Sequence, residues 1–295
     1  LALTPGPGKA MLLSPEDLSG EQAVSLTLVS GYAEGGTASD HAQTQWQVAE
    51  DAAFKTEVFH TVSDTNKTRL TLPQYTLKAE RTYHWRVRYI DDSNTVWPWS
   101  DIRVFSTGAN EKTDADGNGI PDEDQPPEGT EVDFDGDGIN DAGNKNLHIM
   151  KAVSQNGWMG LEATDQSVSV EALSSTDMAD IPDTVNRPLE CPLGLYSYRL
   201  KVPVAGATIN VTFRFTEPIP EGARWYKYDS VSGWADFSDN AIINADRRSA
   251  ILTLTDGGKG DADGVANGVI VDPSGPAMPA SEGGGGGGCF IDSVL

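Results

Sequence analysis

Thr82–Asp91 reads TYHWRVRYID, and its apolar residues fall at every second position. Tyr83, Trp85, Val87 and Tyr89 form one stripe, and His84, Arg86 and Arg88 form the other. A period of two marks an extended strand with one face buried. The same alternation recurs nearby in AVSLTLVSG from Ala23, TQWQVAED from Thr44, TRLTLP from Thr68 and DIRVFSTG from Asp101. Turn-formers separate several of them, among them Gly35-Gly36 and Asp91-Asp92-Ser93-Asn94. Short strands with regular turns predict an antiparallel β-sandwich over residues 1–108.

Alternation returns further on, in SVSVEAL from Ser167, YSYRLKV from Tyr196, ATINVTFRF from Ala207, RWYKYD from Arg224, AILTLT from Ala250 and GVIVD from Gly268. These strands predict a second sandwich over 145–275. The expected fold class is therefore all-β: two β-sandwiches joined by a loop-rich, calcium-binding connector at 109–144, with a glycine-rich tail at 276–295. With 295 residues and 38% hydrophobic content the chain is long enough for two cores. Of its 44 acids 28 are Asp, and 31 Gly and 17 Pro accompany them, which favours turns over helices.

The formal charge of −23 argues against nucleic acid as a partner, since a phosphate backbone is met by cations. About half of that surplus lies between Glu111 and Asp141, which hold twelve acids and one base. No stretch approaches the ~20 apolar residues that span a bilayer. The sequence opens at Leu1 rather than Met, and the expectation is an exported chain whose signal is already absent.

Inside the acidic segment one pattern occurs twice, D-x-D-x-[DN]-G-I-x-D. The first copy supplies Asp114, Asp116, Asn118, Gly119, Ile120 and Asp122; the second, nineteen residues on, supplies Asp133, Asp135, Asp137, Gly138, Ile139 and Asp141. Ca²⁺ takes six to eight hard oxygens at ~2.3–2.6 Å, and alternate short side chains on a tight loop converge on such a centre. Glycine at position 6 permits the sharp turn. Residue 7 offers its carbonyl while its side chain, Ile120 or Ile139, is expected to face a small core. A third, weaker copy places Asp261, Asp263, Gly264, Val265 and Asn267 at positions 3, 5, 6, 7 and 9, with Lys259 at position 1 and Asp256 as its substitute. That stretch reads equally as a cation loop or as an Asx-rich turn between strands. A solvated acidic linker is the plain alternative for the whole connector.

Three family resemblances attach to these residues. Trp46, Tyr83, Trp85 and WPWSDIRVFSTG resemble the middle and closing strands of a fibronectin type III domain over about residues 8–107, which implies a spacer or binding module. The paired acidic loops resemble thrombospondin type 3 repeats, which implies Ca²⁺ binding along a stiff linker. They depart from EF-hands, since position 12 is Gln125 or Asn144 rather than Glu. ARWYKYD, GWADFSDNA and LTLTDGGKGDADGVANGVIVDP resemble the choice-of-anchor U domain of bacterial surface proteins, over about 190–275. That likeness implies an exported β-domain ahead of a C-terminal anchoring signal.

Cys191 and Cys289 pair in an oxidising compartment, or Cys289, after Gly283–Gly288, is an anchor site, or the two are free thiols. The closing segment CFIDSVL reads either as disordered or as a strand added to a neighbouring sheet. Trp225, Tyr226, Tyr228 and Trp234 read either as sandwich core or as sugar-stacking rings. His41, His60, His84 and His148 have no Cys or His beside them in sequence, and no G-x-S-x-G, H-E-x-x-H or P-loop occurs. The expectation is a non-enzymatic, calcium-stabilised structural or adhesive protein of the bacterial cell surface, a subunit of an extracellular filament or layer. It would self-associate or meet other surface proteins. A carbohydrate-binding adhesin and a non-catalytic module of a larger secreted hydrolase are the rival readings.

Overall fold

The computed structural model describes residues 8–32, 41–110, 112–152, 157–181 and 183–280. Gly35-Gly36, Gly283–Gly288 and CFIDSVL with Cys289 lie outside them. The first sandwich holds β1 (Ala10–Ser14), β2 (Ser19–Gln22), β3 (Thr27–Tyr32), β4 (His41–Ala49), β5 (Glu57–Ser63), β6 (Arg69–Thr71), β7 (Thr82–Asp91) and β8 (Arg103–Thr107). A three-stranded sheet, β1-β3-β6, faces a five-stranded one, β2-β8-β7-β4-β5. All pairs are antiparallel except β2 with β8.

The stripe read from Thr82–Asp91 is the core stripe, with Tyr83, Trp85, Val87 and Tyr89 fully buried. Trp85 lies parallel to Trp46 with ring centroids 6.5 Å apart. Buried phenols need partners, and Tyr89 finds one by donating to the Gly31 carbonyl at 2.9 Å.

The second sandwich holds β9 (Leu147–Lys151), β10 (Trp158–Ala163), β11 (Ser169–Thr176), β12 (Leu195–Lys201), β13 (Thr208–Phe215), β14 (Arg224–Asp229), β15 (Gly233–Asp236), β16 (Ala241–Ile243), β17 (Ser249–Thr255) and β18 (Val269–Ala277). Two five-stranded sheets, β16-β17-β13-β10-β9 and β11-β12-β18-β14-β15, enclose its core. Phe213 packs there against Trp225, with centroids 5.0 Å apart, and against Tyr196 and Tyr198. Trp225 and Trp234 are fully buried and Tyr226 nearly so. Those three rings are therefore core, and the sugar-stacking reading of them is withdrawn; Tyr228, half-buried, packs against Trp234.

The acidic segment is bound to the second sandwich. Ile120 sits in its main core, 1% exposed. Val132 and Phe134 make a smaller cluster with Leu147, Ile149 and Trp158 on the outer side of β9 and β10. Gly160 leaves room for this cover, because a Cβ there would fall 3.1 Å from the Phe134 ring and 2.8 Å from Leu147. Ile139 departs from expectation. It is 67% exposed, since Val132 and Phe134 already fill the apolar contact of the second loop.

The sandwiches touch directly. Arg199 on β12 donates from Nη1 to the Tyr75 carbonyl at 2.7 Å and from Nε to Glu171 at 2.9 Å, and Lys78 also reaches Glu171 at 2.9 Å. Asn66 donates to the Val231 carbonyl at 2.9 Å. On the far side, the loop after β17 covers the edge of β5, where the His60 N–H donates to the Asp263 carbonyl at 3.0 Å.

Candidate functional site

Three acidic loops carry the candidate ligands. In the first, Asp114 accepts the backbone N–H groups of Gly117 and Gly119, both at 2.9 Å, and Asp122 accepts that of Ala115 at 3.0 Å. The second repeats this: Asp133 accepts from Gly136 at 2.7 Å and Gly138 at 3.0 Å, and Asp141 accepts from Phe134 at 2.9 Å. The N–H groups facing Asp133 hold its carboxyl below the usual carboxylate range.

These turns bring positions 1, 3 and 9 together. One oxygen from each of Asp114, Asp116 and Asp122 lies within 4.8 Å of the other two, and the same holds for Asp133, Asp135 and Asp141. Position 5 makes the same local bond in both copies. Asn118 Oδ1 accepts from the Ile120 N–H at 2.9 Å, and Asp137 Oδ1 from the Ile139 N–H at 2.7 Å. The Ile120 carbonyl, expected as the seventh-position ligand, accepts the Gln125 amide at 2.9 Å. Gln125 thus takes up a contact inside the loop from position 12. A cleft of about 570 Å³ separates the loops, lined by Asp116, Asn118, Gln125, Asn140 and His148 among others. His148 Nδ1 lies 3.1 Å from the Asn118 carbonyl, and burial lowers the pKa of this ring.

The third loop is built differently. Asp256, Asp261 and Asp263 are all buried. Asp256 accepts from Gly206 and Gly268, both at 2.8 Å, and Asp261 from Gly257 at 2.7 Å and Val271 at 3.1 Å. Asp263 accepts from Val265 at 2.8 Å and the Asn267 amide at 3.2 Å. Burial, with the neighbouring carboxylates, pushes Asp261 up to about 7 and Asp263 well above the carboxylate range. None of the three forms an ion pair with Lys or Arg among the described residues. Nor do they converge as tightly as the first two sets. Lys259, at position 1, contributes its backbone carbonyl to the Thr255 N–H. Asp256 is legible in the sequence only as a substitute ligand, yet it accepts as many backbone hydrogen bonds as Asp261.

Cys191 is buried, its thiol pushed up to about 12 by desolvation, with Sγ 3.6 Å from Met178 Sδ. Its suggested partner, Cys289, is outside the described residues.

Residues 32–111 match the family model of the Rha78A-like, N-terminal immunoglobulin domain. This immunoglobulin-like domain takes in β4 to β8, with the Trp46, Trp85 and Tyr89 core. No curated protein sequence matches the chain. Among solved structures, α-L-rhamnosidase from Streptomyces avermitilis in complex with L-rhamnose aligns at 14% identity and TM-score 0.28, over 90% of this chain and 22% of that one. The α-L-rhamnosidase of Dictyoglumus thermophilum aligns at 12% identity and TM-score 0.31, over 85% and 26%. Chicken CNTN1 domains FN1–FN3 align at 9% identity and TM-score 0.28, over 92% and 68%. The chain spans about a quarter of the length of the two rhamnosidases.

Proposed function

We propose that this chain is a non-catalytic, calcium-stabilised β-module that works outside the cell, as a structural or adhesive element. One observation carries the reading: two loops of identical pattern each gather three carboxylate oxygens within 4.8 Å. Side chains of this charge held ~4–6 Å apart repel by several kcal/mol at intermediate dielectric. A hard divalent ion offsets that repulsion, and an all-oxygen donor set suits Ca²⁺. Asp114, Asp116, Asn118 and Asp122 would hold one ion, and Asp133, Asp135, Asp137 and Asp141 a second. Asp256, Asp261, Asp263 and Asn267 are the third candidate set; the three carboxylates are buried and form no ion pair with Lys or Arg among the described residues, and Asn267 is half-buried.

Because Ile120, Val132 and Phe134 anchor the two outer loops in the second sandwich, calcium would stiffen that body rather than a free tether. A surface role, with self-association into a filament or layer, belongs to the same reading. A second reading, a non-catalytic module carried by a larger sugar hydrolase, is favoured by the family match over 32–111. Calorimetric titration of metal-free protein with Ca²⁺ tests the calcium sites, and a stoichiometry of two or three is expected. Absence of any binding heat at several temperatures would defeat the calcium reading. An assay for rhamnose release tests the non-catalytic role that both readings share: turnover by the purified chain would exclude it.

A further inference from the structure

The polar stripe of β7 is organised on the outer face of the first sandwich. Arg86 is paired across to Gln47 and on to His60, and Arg88 to Gln45 and on to Val62. The polar side chains close a circuit. Arg86 Nε donates to Gln47 Oε1 at 2.8 Å, and Gln47 Nε2 donates to Glu57 Oε1 at 2.7 Å. Glu57 Oε2 lies 3.1 Å from His60 Nδ1. His60 Nε2 lies 2.6 Å from Gln45 Nε2, and Gln45 Oε1 accepts from Arg88 Nε at 2.6 Å.

Each guanidinium therefore spends its Nε on the circuit, and no hydrogen bond from its Nη groups occurs among the described residues. Both groups are fixed from the side by one indole. Arg86 lies 4.2 Å and Arg88 4.4 Å from the Trp99 ring, and Arg86 also sits 3.9 Å from the Phe54 ring. Two cations thus share a surface whose circuit contains a single carboxylate, Glu57. Burial and the charge of Arg88 make the arrangement costly for Arg86, whose pKa is lowered. The two arginines stand ~7 Å apart along the strand backbone, and the free end of each guanidinium is a preorganised fork of the kind that suits planar anions.

We propose that this face binds an acidic polysaccharide, with Arg86 and Arg88 each taking a uronate carboxylate and the half-buried Trp99 and Gln45 meeting the sugar rings. Charge complementarity fixes the sign of the ligand on a chain that is otherwise −23. Strand addition by an acidic peptide is closed off here, because the adjoining edge of β5 is already occupied by Asp263 and Asn267, at 3.0 Å and 3.4 Å from their backbone partners on β5. This inference does not require calcium in any of the loops.

The test is binding of a galacturonate hexamer, a neutral glucan hexamer and a hexaglutamate peptide to the whole chain, in EDTA at low salt. The uronate should bind at least about tenfold more tightly than either control, and the paired Arg86→Gln, Arg88→Gln change should remove that margin. The charge-preserving pair Arg86→Lys, Arg88→Lys, which keeps the sheet face occupied, should weaken uronate binding about tenfold through loss of the forks. Failure to bind the uronate, equal binding of hexaglutamate, or undiminished binding by both folded variants would overturn the proposal. EDTA keeps these outcomes separate from any failure of the calcium reading.

Discussion

The backbone N–H of Leu173 on β11 donates to the carbonyl of Gly119 at 2.8 Å, so the first acidic loop is hydrogen-bonded into the second sandwich at its tightest turn. Gly119 has φ +85°, and a Cβ there would fall 2.9 Å from the Glu171 backbone. Gly117, two residues earlier, has φ +70° but open space around it. Gly119→Ala therefore meets both strain and a backbone clash, and Gly117→Ala strain alone. Urea unfolding should show a loss of ~1 kcal/mol for Gly117→Ala and at least about twice that for Gly119→Ala. Equal losses would mean that the loop is not seated against β11.

The two isoleucines of the repeated motif should behave in opposite ways. Ile120 is 1% exposed and Ile139 67%. Ile120→Ala should cost about 2–4 kcal/mol, and Ile139→Ala within about 0.5 kcal/mol of zero. Denaturant midpoints of the two variants decide it.

His41 gives the chain a pH-sensitive point in the first sandwich. It is buried, between Tyr32 at 2.7 Å from Nδ1 and Thr44 at 2.6 Å from Nε2, with Tyr89 against its ring. Desolvation, with the charge of Lys67, lowers its pKa to about 4. The unfolded chain takes up the proton near pH 6.5, so acid favours unfolding. This contribution is whole above about pH 7 and falls away between pH 6.5 and 4, reaching on the order of 2 kcal/mol by pH 4.5. His41→Gln should flatten the melting temperature over that window relative to wild type.

Arg199 should hold the two sandwiches together. Its side chain joins Glu171 at 2.9 Å and the Tyr75 carbonyl at 2.7 Å across the junction. Arg199→Met keeps most of the volume but leaves that carbonyl without its donor and Glu171 with Lys78 alone. A loss of about 2 kcal/mol is expected, with a larger radius of gyration in small-angle scattering. Unchanged dimensions would place the junction's strength elsewhere.

Much of this architecture was legible as alternation. β7 begins and ends where the sequence pattern does because it buries one face; β14 has the same bounds as its pattern although Trp225 and Tyr226 are buried in succession, in two different clusters. β18 reads as only GVIVD, since its later half runs through Pro273, Gly275 and Pro276, which are poor strand signals although buried. β10 was missed because Met159, Gly160 and Leu161 are buried in succession: one face lines the core and the other is covered by Phe134. The acidic loops were visible through spacing, which captures local turns. Ile139 was misplaced because which residue fills an apolar contact depends on Leu147 and Ile149, remote in sequence from the motif. Arg86 and Arg88 were visible only as an outward stripe; their circuit needs β4 and β5, brought alongside by the sheet.

Calcium binding by the paired loops is tested most directly by thermal unfolding of one preparation in excess Ca²⁺ and in excess EDTA. With ligand bound to the native state alone, the melting temperature in Ca²⁺ should be higher by about 4 °C or more, and Asp114→Asn with Asp133→Asn should narrow the gap. Superimposable curves for the unaltered chain in the two buffers would contradict it.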